Sequence, residues 1–250
     1  MLSFLQEIYG RLEAIPIRPE NERRLRDGIQ QLLTLSHLCA GGADRNQRKA
    51  LSHLTQGCHQ ILRRLENLLL CHARGFLFEP CDLAVFLDDI CCACDLLLSG
   101  CNKRLLFDAT APWALAACAP GPVRCAVLNL IANAARYSQA GTILVRLACT
   151  ASHALITVRS AGEASLTALQ RGTDTAGSGL CAVRRCVELH HGTLLFQSDG
   201  GGTLAALALP RDLEAQPDLS PLPQPDFVEY VCDRLSPVYT GLSGLCPCPV

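Results

Sequence analysis

The chain has little of several things, and each shortage narrows what it does. Aromatic residues make up 5% of its 250 residues, with a single Trp, so no platform for stacking nucleic-acid bases is expected. Charged residues are 18% and nearly balanced, and a formal net charge of −1 argues against the basic surface that a phosphate backbone demands. No apolar run approaches the roughly 18 residues needed to cross a bilayer, so no membrane span is expected. The opening stretch MLSFLQEIYGRLEAIP carries acids early and no long apolar core, unlike a secretory leader. The expectation is a cytoplasmic protein that binds no nucleic acid.

What is plentiful is cysteine, 16 in all, within a chain that is 49% hydrophobic. Cys58, Cys71, Cys125, Cys181 and Cys186 fall inside helix-like apolar patterns, where a thiol behaves as a small core hydrophobe in a reducing compartment. Cys91 and Cys94 form one C-x-x-C pair, but no second pair lies nearby, and Cys246 and Cys248 alternate with prolines far away. A zinc site ordinarily needs two such pairs, so none is expected.

Residues 1–19 read as a short helix stopped by Pro16 and Pro19. Residues 20–76 read as a helical hairpin: one helix from about Glu20 to Cys39, the turn Gly41-Gly42, and a second helix from about Gln47 to Arg74 capped by Asp44 or Asn46. Leu25, Ile29, Leu32 and Leu33 make the first apolar face, with Ser36 interrupting it; Leu51, Leu54, Cys58, Ile61, Leu62 and Leu65 begin the second. Two such faces are not fully buried by one hairpin, which predicts a homodimer closed as a four-helix bundle.

Residues 77–210 alternate strand and helix patterns. A short strand runs into a cap at Asp82, a helix covers 83–98, a strand 103–108, and a small-residue linker 109–121. A helix over 124–138 follows, then the alternating hairpin strands 141–148 and 153–159, a helix from Leu180 to about His190, and a closing pair at 193–197 and 203–209. The fold class is α+β, a helical hairpin followed by a two-layer sandwich with helices on one face of a largely antiparallel sheet. Residues 211–250 form a proline-rich linker and tail, with one helix predicted at Phe227–Leu235.

Chemistry is concentrated in two places. In RCAVLNLIANAARYS (124–138), Asn129, Asn133 and Arg136 share one helical face at i, i+4 and i+7, opposite Val127, Leu130, Ile131 and Ala134. Two stacked carboxamides and a cation can hold a hydrated metal ion and its phosphates; equally, a surface helix carries asparagines incidentally. Gly177-Ser178-Gly179 opens the next helix, where free N–H groups favour an anion, although many ordinary loops enter helices the same way.

The ordered set is more specific than either part. LNLIANAARYS (128–138), followed by a strand hairpin, a loop and GSGLCAVRRCVELHHGTLLFQSDGGGTLAALALP (177–210), resembles the ATP-binding domain of histidine kinases, the superfamily shared with gyrase, heat-shock chaperones and MutL. HQILRRLENLLLCHARGFLFEPCDLAVFLDDI (59–90) is similar to the second helix of a histidine-kinase dimerisation domain and its exit. The resemblance implies ATP and Mg²⁺ as cofactors, Asn129 and Asn133 at the metal and phosphates, with Asn133 the Mg²⁺ ligand, Arg136 in place of the usual Lys, and Gly177 and Gly179 shaping the lid hinge. It also implies a receiver domain or another kinase as a partner.

Departures from the family pattern are as informative. Where the family places its phosphoacceptor His, this chain has Asn21-Glu22-Arg23-Arg24-Leu25. His37 comes later, and His53, His59 and His72 lie on the second helix, where the family does not use one. The first glycine box survives as Val158 and Gly162, with Ser160 in place of the Asp that accepts from the adenine amino group. Losing such a contact costs about 1–3 kcal/mol, or roughly ten- to a hundredfold in affinity. The lid between Gly162 and Gly177 has 14 residues (163 to 176) and no Phe, and Cys181 and Ala182 replace a Gly and a Leu of the second box. The expectation is a degenerate member that binds ATP·Mg²⁺ weakly and does not phosphorylate itself. The alternatives are a nucleotide-free scaffold docking a partner through its hairpin, and an active kinase acting on a partner's histidine.

Overall fold

A computed structural model describes residues 19–137, 141–161, 178–198, 202–211, 224–243 and 245. Helices α1 (Pro19–Ala40) and α2 (Arg45–His72) form the expected hairpin. Asp44 caps α2: its Oδ1 accepts from the Asn46 and Gln47 N–H groups at 2.8 and 2.9 Å, and Gln47 Oε1 accepts from the Asp44 N–H. This reciprocal cap fixes the direction in which the chain turns back. Ile29 and Leu33 pack on Cys58 and Leu62 between the helices. Ser36, the break in the α1 stripe, meets Thr55 of α2 at 2.9 Å, so the buried hydroxyls satisfy each other.

Beyond the hairpin come β1 (Glu79–Asp82), α3 (Leu83–Ser99), β2 (Arg104–Ala109), β3 (Leu115–Cys118), α4 (Pro120–Tyr137), β4 (Thr142–Cys149), β5 (His153–Ser160), α5 (Gly179–Leu189), β6 (Thr193–Ser198) and β7 (Thr203–Pro210). Five strands form one sheet in the order β2-β4-β5-β7-β6. The β2–β4 pair is parallel, joined through the β3–α4 crossover, and the remaining pairs are antiparallel. Alternate residues show the two faces. Leu105, Ile143, Val145, Ile156, Val158, Ala205 and Leu207 are buried in the core with α3, α4 and α5, whereas Leu106, Leu155 and Leu195 are exposed. The α+β class with one helical layer is therefore the observed architecture.

Two expectations need correction. The stretch 109–121 is more than a linker: β3 lies within it and pairs antiparallel with β1, while the Ala114 N–H donates to the Asp82 cap at 2.9 Å. Its small residues gave no alternation to read. The following helix starts at Pro120, four residues ahead of Arg124, because proline suits a helix's first turn, where its missing N–H is no loss.

The C-terminal part differs too. In place of one helix at 227–235 there are two, α6 (Phe227–Cys232) and α7 (Pro237–Leu242). Tyr230, Val238 and Leu242 join the main core, and Gly241 lies against Leu128 of α4. Leu235 packs on the α1–α2 core, and the Arg234 carbonyl meets His59 Nε2 at 3.0 Å. The segment is a strap spanning the hairpin and the sandwich. Residues 1–18 and 212–223 lie outside the described residues, as does the expected first helix.

Candidate functional site

Helix α4 carries the asparagines, and its apolar positions dictate which way they point. Val127, Leu130, Ile131 and Ala134 are buried against the sheet. Asn129 therefore turns towards α2, and it is buried rather than on the surface. Its Nδ2 donates to Asn67 Oδ1 at 2.7 Å and to the Cys125 carbonyl at 3.0 Å. Its Oδ1 accepts from Arg63 through Nη2 at 2.9 Å and Nε at 3.3 Å. Every polar atom of this carboxamide is thus taken by the protein. Burial, reinforced by nearby Arg136, brings Arg63 down to about 10, so the guanidinium remains charged at neutral pH.

Gly179 belongs to the same cluster. A Cβ there would overlap the Asn129 carboxamide, so glycine is what lets the start of α5 reach α4. Ser178 caps α5, its Oγ accepting from the Cys181 N–H at 3.0 Å. At the other end of α5, His190 Nδ1 donates to the Cys186 carbonyl at 2.6 Å, which leaves Nε2 to accept from the Ala119 N–H at 3.0 Å. Its ring stacks on Phe78, and burial lowers its pKa, as the neutral tautomer requires.

Asn133 and Ser160 meet elsewhere, across a cavity of about 30 Å³ bounded also by Tyr137, Phe196 and Thr203. That volume holds about two waters. Arg136 is exposed at the end of α4. Gly162 and Gly177 lie outside the described residues. The structure therefore brings Asn133 to Ser160, and separately Asn129 to Gly179.

Residues 119–213 match the profile of the family described as histidine kinase-, DNA gyrase B-, and HSP90-like ATPase. That match covers under half of the chain, so it shows a histidine kinase-like ATPase domain at residues 119–213 and not the family of the whole chain. A search of curated proteins gave no match. Among solved structures, full-length ShkA in complex with AMPPNP is similar at a TM-score of 0.62 and 19% identity, over 78% of this chain and 46% of that one. The histidine kinase AdeS of Acinetobacter baumannii is similar at 0.57 and 18% identity, over 77% of this chain and 96% of that one. The chain thus spans less than half of ShkA, and at these identities the likeness is one of fold.

Around the ATPase domain, three residues escaped the sequence reading. Arg63, Asn67 and Cys125 are the neighbours of Asn129. A signal existed: Arg63 and Asn67 stand at i and i+4, and Asn67 is a carboxamide set among leucines in ENLLL (66–70). Arg185 is a further tie, its guanidinium donating to the Ala73 carbonyl at 2.6 and 2.9 Å and so closing the C-terminal end of α2 onto α5. The hairpin histidines are not grouped at the ATPase domain. His59 is fully buried and faces the strap, His72 Nδ1 lies 2.8 Å from the Leu68 carbonyl, and His53 is exposed. Among the described residues no group of three or more His, Cys, Asp or Glu is placed to hold a metal. Mg²⁺ would have to rely on neutral oxygens, and the Asn129 oxygen is occupied by Arg63, so these residues fit the ion poorly.

Proposed function

We propose that this is a histidine kinase-like signalling protein whose ATPase domain is degenerate, binding ATP·Mg²⁺ weakly and not phosphorylating its own chain. The observation that carries this reading is the pocket between Asn133 and Ser160, which at about 30 Å³ is far below the several hundred Å³ of ordinary ligand sites. Ser160 in place of an acid weakens the adenine contact, and no histidine stands among Asn21–Leu25 to receive a phosphate. Asn133 and Arg136 would be the residues left to meet a triphosphate, with Asn129 joining them once Arg63 lets go. AMPPNP bound to ShkA supports nucleotide as the ligand class. The protein would act as a homodimer through its hairpin, with a receiver domain or another kinase as partner.

A second reading, a nucleotide-free scaffold, is favoured by the complete pairing of Asn129 to Arg63, Asn67 and Cys125. One measurement separates the two. Thermal unfolding with and without ATP·Mg²⁺ is expected to give a small, saturable rise in Tm that disappears in Asn133→Ala. No rise at millimolar nucleotide would favour the scaffold. Radiolabelled phosphate appearing on histidine of the purified chain would overturn the degenerate reading.

A further inference from the structure

A cavity of about 370 Å³ lies between the hairpin and the ATPase domain, distinct from the Asn133–Ser160 pocket. Its charged lining is three guanidinium groups from three helices, Arg26 of α1, Arg63 of α2 and Arg124 of α4, facing one carboxylate, Glu66. The cations are incompletely satisfied. Arg26 reaches Glu66 at 3.5 Å and Glu22 at 3.3 Å, and Arg124 reaches the Tyr230 hydroxyl at 3.5 Å, all at the long limit of hydrogen bonding. Arg63 directs two of its five donors at Asn129. Burial pushes the Glu66 carboxyl up, which weakens the one carboxylate in the lining. Guanidinium donors that outnumber their acceptors in a partly enclosed space favour an oxyanion.

We propose that this cavity binds a phosphate monoester, its phosphate held by Arg26, Arg63 and Arg124 and its organic part lying against Leu70, Phe76 and Leu128. Three guanidinium forks suit a tetrahedral dianion with three terminal oxygens better than a planar carboxylate with two. The space exceeds a bare phosphate, and apart from Asn67 and Asn129 its remaining walls are largely apolar, so the phosphate bears a hydrophobic substituent. Such a ligand touches α1, α2 and α4 at once and braces the hairpin against the ATPase domain.

The test uses the full chain, titrated calorimetrically with phenyl phosphate, inorganic phosphate and benzoate at an ionic strength held constant with chloride. Phenyl phosphate is expected to bind saturably and more tightly than inorganic phosphate or benzoate. Arg26→Gln and Arg124→Gln should each weaken it about tenfold. Glu66→Gln should tighten it, a gain that misfolding cannot produce. Asn133→Ala should leave it unchanged, which separates this cavity from the nucleotide pocket. The proposal is overturned by absence of saturable binding, by benzoate binding as tightly as phenyl phosphate, by weaker binding in Glu66→Gln, or by binding that Asn133→Ala removes while the arginine variants retain it.

Discussion

Asn129 has both ends of its carboxamide engaged and a glycine pressed against its side, and these facts are coupled. Removing a buried polar group leaves partners unsatisfied at about 1–3 kcal/mol each. Adding a methyl group at Gly179 forces the same carboxamide to move, because its Cγ would lie 2.8 Å from the new Cβ. Gly179→Ala is therefore expected to destabilise the protein by about 1–3 kcal/mol. In an Asn129→Ala background the Oδ1 and Cγ atoms are gone and only the Asn129 Cβ, at 3.3 Å, remains in tight contact, so the same substitution should cost much less. Urea unfolding of the four proteins in this cycle should give a coupling of about 1 kcal/mol or more. Strict additivity would mean that α5 can shift away from α4, and that Gly179 does not serve close packing. Of the residues expected to hold nucleotide, Asn129 was legible as a polar residue on a helix with an apolar back. Its true partners were not, since Arg63 stands 66 residues away in sequence, and a carboxamide facing water and one facing a guanidinium look alike until α2 is folded onto α4.

At the scale of elements, legibility followed periodicity. The hairpin, α3, α5 and the strands β4 to β7 all repeat apolar residues at the period of the structure they form, and their caps at Asp44, Asp82 and Ser178 are short-range and readable. Strand β3, with the sequence LAAC, is a leucine followed by three small apolar residues, specified mainly by the partner strand β1. The strap was illegible for another reason. Helices α6 and α7 have six residues each, too few to show a face, and they hold their shape by packing rather than by propensity. Their stability should therefore sit in a few anchors. Tyr230 is 1% exposed, and replacing it with Ala is expected to cost about 3–5 kcal/mol by analogy with other buried aromatic truncations. Val228, two residues earlier on the opposite side of α6 and 58% exposed, should tolerate Ala within about 0.5 kcal/mol. Equal small losses at both positions, measured by chemical denaturation, would show that the strap is not a structural part of the core.

For the whole molecule, the open question is what covers the outer side of the hairpin. Within one chain, α1 and α2 bury only a small core of Ile29, Leu33, Cys58 and Leu62, helped by Leu25, Ile61 and Leu235. Leu32, Leu35 and Leu38 of α1 and Leu54 of α2 remain exposed, at 47%, 56%, 73% and 39%. Each such leucine, already partly covered, forgoes a fraction of the roughly 1.5–3 kcal/mol that full burial of an exposed leucine gains. A second copy of the hairpin, packed as a four-helix bundle with helices about 20° from antiparallel, would cover them without altering either fold. Sedimentation at micromolar concentration is therefore expected to give a dimer, and Leu35→Lys combined with Leu38→Lys should convert it to a monomer. The sheet core, anchored by residues such as Ile143 and Ile156, lies apart from this face, so the thermal unfolding of the ATPase domain should survive that substitution. A wild-type monomer, or a dimer that the two lysines leave intact, would place the contact elsewhere, and the exposed leucines would then need a different partner.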